Sequence, residues 1–273
     1  MPYRLRSYEI GERLYRSRRT EIHRATRLSD GAPVAIKRLT ADFLVPREIA
    51  ALKREYALAR RLADVPGVLR VHDLARDSHD NIAMVMDLGS PFPAVSAPLP
   101  LETVLEIGIE LAGVLGRIHR RNVIHKDIHP GNLLRDPATG ALLVTDFGIA
   151  SELPRESQDI NVSNRLEGTL PYISPEQTGR MNRSLDYRSD YYSLGVTLYE
   201  LVTGRRPFEA TDIMGWVHRH VARMPDDPVR HRPDIPEPVA RIILKLLDKD
   251  PDARYGSARG LIRDLSFCRD QWA

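Results

Sequence analysis

The sequence predicts an α+β chain with a small strand-rich first part and a larger helix-rich second part. Three observations carry that expectation. Short β-branched and apolar runs bounded by turn residues fill the chain up to about residue 88. Segments with helical apolar periodicity dominate after residue 100. Between them, residues 90–100 carry four prolines and read as a linker.

The elements follow in order. Val34-Ala35-Ile36-Lys37-Arg38-Leu39 is rich in β formers and is preceded by the turn residues Ser29-Asp30-Gly31. A helix is predicted over 46–62, with Pro46 suited to its first turn and Ile49, Leu52, Tyr56 and Ala59 on one face. Strands are predicted at 68–74 and 82–86. Helices are predicted at 101–120, 187–203, 212–221, 238–247 and 257–270. This order implies one domain of two parts, about 8–88 and 101–269, joined by a linker over 89–100.

Composition narrows the function classes. In 273 residues, 42% are apolar and 28% charged, the balance of a soluble globular chain. The longest apolar stretch, 104–118, is interrupted by Glu106, Glu110 and Arg117, so no membrane span is predicted. The basic N-terminus has no apolar core behind it and does not read as a leader. A lone cysteine, Cys268, excludes an internal disulfide and a cysteine-built metal site. A cytoplasmic domain able to exist as a monomer is the expectation. The net charge of +3 is too small to argue for nucleic acid, and the cluster Arg13, Arg16, Arg18, Arg19 and Arg24 reads as a solvated face.

The chemistry-bearing residues lie in His125-Lys126-Asp127-Ile128-His129-Pro130-Gly131-Asn132 and, nineteen residues after Asp127, in Asp146-Phe147-Gly148. Apolar strands precede both, at 122–124 and 142–145. Two carboxylates and an amide on neighbouring loops are what phosphoryl transfer requires: one Asp takes the hydroxyl proton, while an Asp and an Asn hold the metal ions. An isolated Asp followed by Asn is also a common turn pairing. Here other parts accompany it in order. Val34-Ala35-Ile36-Lys37 places a lysine on a strand, Glu55 follows eighteen residues later on a helix, and Ser174-Pro175-Glu176 closes a segment opened by Asp146.

In this order and spacing the chain resembles the protein kinases. The resemblance implies a two-lobed kinase fold over about 8–269, with ATP and Mg²⁺ as cofactors and a protein as substrate. Lys37 would meet the α- and β-phosphates and Glu55 would hold Lys37. Asp127 would be the catalytic base, supported by the Thr169 hydroxyl, and Asn132 and Asp146 would bind metal. Adenine would lie against Leu14, Ile22 and Ala35 above and Leu134 below. The backbone of Met86-Asp87-Leu88, after gatekeeper Val85, would read it. Ala59, Val71, His125 and Phe147 would form apolar spine contacts, and Glu176 and Arg254 a buried ion pair. Thr169 points to Ser/Thr substrates.

A narrower resemblance rests on 14–20, on His125-Lys126-Asp127-Ile128, and on Leu166-Glu167-Gly168-Thr169 with 177–183. These look like the N-terminal kinase domains of bacterial hybrid signalling proteins, in which ATPase, sensor and histidine-kinase modules follow. An excised domain or a short relative is therefore expected, with fused or partner modules of those kinds. Three departures stand out. Tyr15, Ser17 and Thr20 occupy the glycine positions of the phosphate loop, where Cβ atoms hinder close approach. Lys126 replaces an arginine and lacks its bidentate fork. His129 stands where a lysine is common. An active Ser/Thr kinase is the leading expectation and a pseudokinase scaffold the alternative. A small-molecule phosphotransferase shares the Asp/Asn/Asp set but not the Ser174-Pro175-Glu176 segment. Ser157, Ser163 and Thr169 are candidate phosphorylation sites.

Overall fold

The computed structural model describes residues 5–92, 97–152, 167–181 and 183–272. The chain divides into two units, Met1–Pro91 with Leu134–Gly148, and Phe92–Leu133 with Ile149–Ala273.

The first unit is built on a five-stranded antiparallel sheet. Its strands are β1 (Tyr8–Arg16), β2 (Thr20–Arg27), β3 (Pro33–Leu39), β4 (Val71–Arg76) and β5 (Ile82–Asp87), in the order β1-β2-β3-β5-β4. Side chains alternate across a strand. Val34 and Ile36 on β3 therefore enter an apolar cluster with Leu5, Ala25, Ala83 and Val85, while Ala35 and Lys37 face the other way. The register pairs Ile36 with Val85, Lys37 with Met84 and Ala35 with Met86, so each pair shares a face.

Helix α1 (Pro46–Arg61) starts with Pro46 in its first turn and ends with Arg60 and Arg61 at the negative end of the helix dipole. Its buried residues are Leu52, Glu55, Leu58 and Ala59. Each buried leucine contributes roughly 1.5–3 kcal/mol, and that packing holds Glu55 on the inward stripe. A second sheet joins β6 (Ser90–Pro91), β8 (Leu133–Arg135) and β9 (Leu142–Val144) in that order.

The second unit is helical. It contains α2 (Leu101–His119), α3 (Arg188–Thr203), α4 (Ile213–Ala222), α5 (Glu237–Leu246) and α6 (Ala258–Trp272), with a short antiparallel pair formed by β7 (Val123–Ile124) and β10 (Ser151–Glu152). Helix α3 is buried on nearly every side, from Ser189 to Thr203, as expected of a central helix. Gly195 makes this possible on one face, because a Cβ there would come within 2.7 Å of Leu246 Cβ.

The expected Glu176–Arg254 pair is present and buried. Arg254 donates to both Glu176 oxygens at 2.7 and 2.9 Å, and Ser189 Oγ donates to Glu176 Oε1 at 2.7 Å. Ala59, Val71, His125 and Phe147 are all buried.

The observed helices match the expected ones to within a residue or two, and the architecture is the expected α+β order, a strand-rich first unit and a helical second one. Two expectations change. The strand predicted at 68–74 runs from Val71 to Arg76 instead, and Val68 makes an isolated parallel bridge with Val144. The 134–148 segment, predicted to belong with the helical part, clusters with the first unit. The reason is long-range pairing: Leu69 N–H donates to Val144 O at 2.9 Å, and Val144 N–H donates to Gly67 O at 2.8 Å. Among the described residues no helix is long and apolar enough to cross a membrane.

Candidate active site

Each unit carries one set of the predicted groups. In the first, Lys37 Nζ lies 2.7 Å from Glu55 Oε1 and 3.1 Å from Asp146 Oδ1. The lysine and glutamate side chains are each 7% exposed, whereas Asp146 is 41% exposed. Burial penalises the Lys37 ammonium, but Asp146 and Glu55 outweigh it and hold its pKa above the ordinary lysine value. Lys37 is thus a fixed cation. Burial pushes the Glu55 carboxyl up to about 7; the Lys37 charge opposes this, while the like charge of Asp146 adds to it. Asp146 has φ +64°, in the left-handed region, and its Oδ1 accepts from Gly148 N–H at 3.2 Å.

The expected base-binding residues also belong to this unit. Ile22 pairs with Lys37, and Ala35 with Met86, so these side chains share the Lys37 face. Val85 does not. It is fully buried in the opposite cluster with Val34 and Ile36, which corrects its expected place as gatekeeper. Alternation puts Met84 and Met86 on the Lys37 face instead. Met86 lies inside the sheet, opposite Ala35 on one side and Val71 on the other. Its main chain is part of the ladder, so Met86 offers the face a side chain. Leu88 is the first residue beyond β5. Gly89 lets Leu134 come close, since a Cβ on it would meet Leu134 Cβ at 2.8 Å. Leu14 is exposed.

The turn joining β1 and β2 explains how a chain without those glycines closes its hairpin. Ser17 Oγ accepts from the N–H groups of Arg19 and Thr20 at 3.2 and 3.0 Å, and Ser17 N–H donates to Thr20 O at 2.9 Å. Thr40 Oγ1 donates to Arg18 O at 2.8 Å. The amide groups that a glycine-rich loop would offer to phosphate are therefore satisfied locally. Arg18 and Arg19 lie over the Phe43 ring at 5.8 and 5.9 Å, and Arg16 pairs with Glu21 at 3.3 Å. A Ser three residues before a Thr in a tight turn was the legible signal.

In the second unit, Asp127 is gripped from several sides. Its Oδ1 accepts from Thr169 N–H at 2.8 Å, and its Oδ2 accepts from Asn132 Nδ2 at 3.2 Å. Asn132 Nδ2 also donates to Asp127 O at 2.9 Å. The Thr169 contact runs through the backbone, where the sequence led us to expect the hydroxyl. His129 Nε2 stands 3.6 Å from Asp127 Oδ2. Its Nδ1 accepts from Gly131 N–H at 3.1 Å, so a proton sits on Nε2, facing Asp127. Burial opposes the Asp127 charge, but His129, the Thr169 N–H and His125 outweigh it and hold the carboxyl at about 2.

The loop bearing Asp127 is anchored from α3. Asp190, fully buried, accepts from the N–H groups of His125 and Lys126 at 2.9 and 2.8 Å and from His119 Nε2 at 2.8 Å. Burial works against its carboxylate, but the His119 bond and the nearby His125 keep its pKa below the usual range. Gln177 Nε2 donates to Lys126 O at 2.8 Å, an anchor that the sequence reading did not anticipate. Ser157 and Ser163 lie outside the described residues.

The donor set offers oxygens, the ligand type that Mg²⁺ takes. Asp146 offers a partly exposed carboxylate, and the Asn132 amide, turned by its two Nδ2 bonds, keeps its oxygen available. Both are hard oxygen ligands. Among the described residues no group of three or more His, Cys, Asp or Glu is arranged to hold a metal. A cation that arrives with phosphate oxygens requires only one or two protein ligands, and a carboxylate and an amide oxygen are of the chemistry it takes.

Comparison with known proteins identifies the family. The chain matches the family described as protein kinase domain over residues 8–265. It is 33% identical over 271 residues to a probable serine/threonine-protein kinase of Streptomyces coelicolor, covering 96% of this chain and 40% of that one. It is 32% identical over 267 residues to PknB of Mycolicibacterium smegmatis (94% and 42%) and 31% identical over 242 residues to PrkC of Bacillus subtilis (87% and 36%), both named serine/threonine-protein kinases. The chain thus spans about two fifths of the length of these relatives. By this match and this fold, the chain belongs to the protein kinase domain family.

Proposed function

We propose that the chain is the catalytic domain of a signalling Ser/Thr protein kinase, transferring the γ-phosphate of ATP to serine or threonine hydroxyls of a protein. The observation that carries this reading is the state of Asp127: ionised, with a pKa of about 2, and oriented by Thr169 and Asn132. A carboxylate so acidic is a weak base near neutrality. It suits a loose transition state in which the hydroxyl must be aimed first and loses its proton late. Asp127 accordingly orients the hydroxyl and receives its proton as the new P–O bond forms.

Lys37, a permanent cation positioned by Glu55, holds the α- and β-phosphates. Ile22, Ala35, Met86 and Leu134 enclose the base apolarly, and the main chain at Leu88 reads its edge. Asp146 and Asn132 would hold Mg²⁺, which would neutralise charge on the phosphates. The Ser/Thr preference rests on the relatives' names. Control by fused or partner ATPase, sensor or histidine-kinase modules, and residence in the cytoplasm, are part of the proposal.

The test is incubation of the purified domain with labelled ATP, with and without magnesium, followed by mass spectrometry of the acceptor residues. Transfer that is absent in the parent, or unchanged in Asp127→Asn, overturns the reading. A second reading, nucleotide binding without transfer, is favoured by the Ser17 turn, which uses the amides a phosphate loop would offer. Tight ATP binding with no labelled product would select it.

A further inference from the structure

His220 on α4 is fully buried, with an edge-on Phe208 at 5.3 Å and Trp216 stacked at 6.0 Å between ring centroids. Both ring nitrogens are engaged: Nε2 lies 3.0 Å from Leu170 O, and Nδ1 lies 3.0 Å from the Tyr192 hydroxyl. A carbonyl only accepts, so the proton is on Nε2. Nδ1 must then accept from the Tyr192 O–H. The Tyr192 oxygen in turn accepts from Lys249 Nζ at 3.2 Å. The polarity of the chain Lys249–Tyr192–His220–Leu170 is fixed throughout. Burial, with the Lys249 charge adding to it, pushes the His220 pKa down to about 4 despite the Leu170 and Pro171 backbone, so the ring stays neutral.

The carbonyl at the end of this chain belongs to the tight turn Leu170–Tyr172, which directly follows Thr169. Tyr172 N–H donates to Thr169 O at 2.8 Å, and Ser193 Oγ donates to Tyr172 O at 2.8 Å. Thr169 N–H is the donor that holds Asp127 Oδ1. Leu170 is followed by a proline, so the turn lacks one N–H with which to secure itself. All of these residues lie in the second unit.

We propose that His220 is a positioning residue for phosphoryl transfer, anchoring the Leu170 carbonyl so that the adjacent Thr169 N–H stays on Asp127. This rests on the kinase reading. Its catalytic effect falls on kcat, because the groups assigned to the base and to the α- and β-phosphates belong to the first unit.

The test compares His220→Phe, which keeps a ring between Trp216 and Phe208, with His220→Gln, whose amide can both donate and accept. Losing one anchoring hydrogen bond should lower kcat about fivefold to tenfold, with the KM for ATP within about twofold. Amide hydrogen exchange at Thr169 and Tyr172 should accelerate by a similar factor in His220→Phe, and His220→Gln should recover both readouts. If His220→Phe does not fold, Tyr192→Phe carries the test: it removes the hydroxyl that orients the ring, so exchange at Thr169 should accelerate, and unchanged exchange with parental kcat overturns the inference.

A folded His220→Phe protein with parental kcat and exchange overturns the inference. So does a Gln variant as impaired as Phe, since ring packing alone would then explain the effect. A parent that transfers no phosphate overturns the kinase reading instead, and the exchange contrast then decides the anchoring by itself.

Discussion

Arg254→Ala removes one half of an ion pair whose side chains are 0% and 1% exposed. In the native protein Arg254 makes two bonds to Glu176 and also donates to the carbonyls of Asp248, Arg188 and Lys249 at 2.8, 3.0 and 3.3 Å. Truncation leaves the Glu176 carboxylate with the Ser189 hydroxyl and deprives three carbonyls of a donor. Stranding one member of a buried pair costs roughly 3–5 kcal/mol. A domain of this size loses roughly 2–4 °C in Tm per kcal/mol, so the melting point should fall by about 6–20 °C. Near-UV circular dichroism during heating measures it. Adding Glu176→Gln removes the stranded charge and should return a large part of the loss. The guanidinium also has a local electrostatic effect: burial, then Arg254, pushes the Lys249 pKa down to about 7. Arg254→Ala should therefore raise that pKa and slow acylation of Lys249 by an amine-reactive reagent at neutral pH. A melting shift no larger than that of an exposed pair, at most about 1 kcal/mol, would refute the stranded-charge argument.

Asp127→Asn should lower kcat by roughly 10²–10⁴-fold while nucleotide affinity, measured by titration, stays within about twofold. Because the folded pKa of Asp127, about 2, lies below its ordinary 3.8, its stabilising contribution is present above 3.8 and is lost as pH falls through about 2. Acid unfolding of the parent relative to Asp127→Asn should show that loss, and no acid limb of kcat above pH 5 should belong to Asp127. Replacing Ser17 and Thr20 together with glycine frees the Arg19 and Thr20 amides and should tighten ATP binding; unchanged or weaker affinity would mean that phosphate is bound by another route. Phosphatase-treated protein should keep most of its initial rate, since Lys126 cannot grip a phosphate bidentately. A rate that collapses and returns with phosphate on Ser157, Ser163 or Thr169 would overturn that.

The helices were legible because their boundaries are written locally. Pro46 marks the start of α1, and the apolar spacing of Leu52 and Ala59 marks its inner face. The site was legible as an ordered set of charged residues, and Lys37, Glu55 and Asp146 do meet. What failed were readings that need a partner strand or a distant residue. In β5 the run Ile82-Ala83-Met84-Val85-Met86 has no polar residue to show which face is inward, so the sequence does not tell Val85 from Met86 as the residue facing the site. The 134–148 hairpin joins the first unit through Val144 and Gly67, a pairing with no local signature. His220 looks like any histidine on an amphipathic helix, because its acceptor lies fifty residues earlier. The Thr169 contact with Asp127 is made by the main chain, which no side-chain pattern reveals.

Lys126 occupies the left-handed region with φ +69°, a conformation that costs a side-chain-bearing residue roughly 1–2 kcal/mol. Asp190 holds its N–H and Gln177 holds its carbonyl, so both ends of the residue are pinned. The catalytic loop is therefore latched under tension. Releasing Asp190 would cost hydrogen bonds and also let residue 126 relax by rotating its peptide planes, carrying Asp127 off its aim. Lys126→Gly would remove the tension and leave the latch, so the loop should then tolerate loss of Asp190 better than the parent does. The strain at one residue thus biases the loop to turn Asp127 away once the clamp is lost.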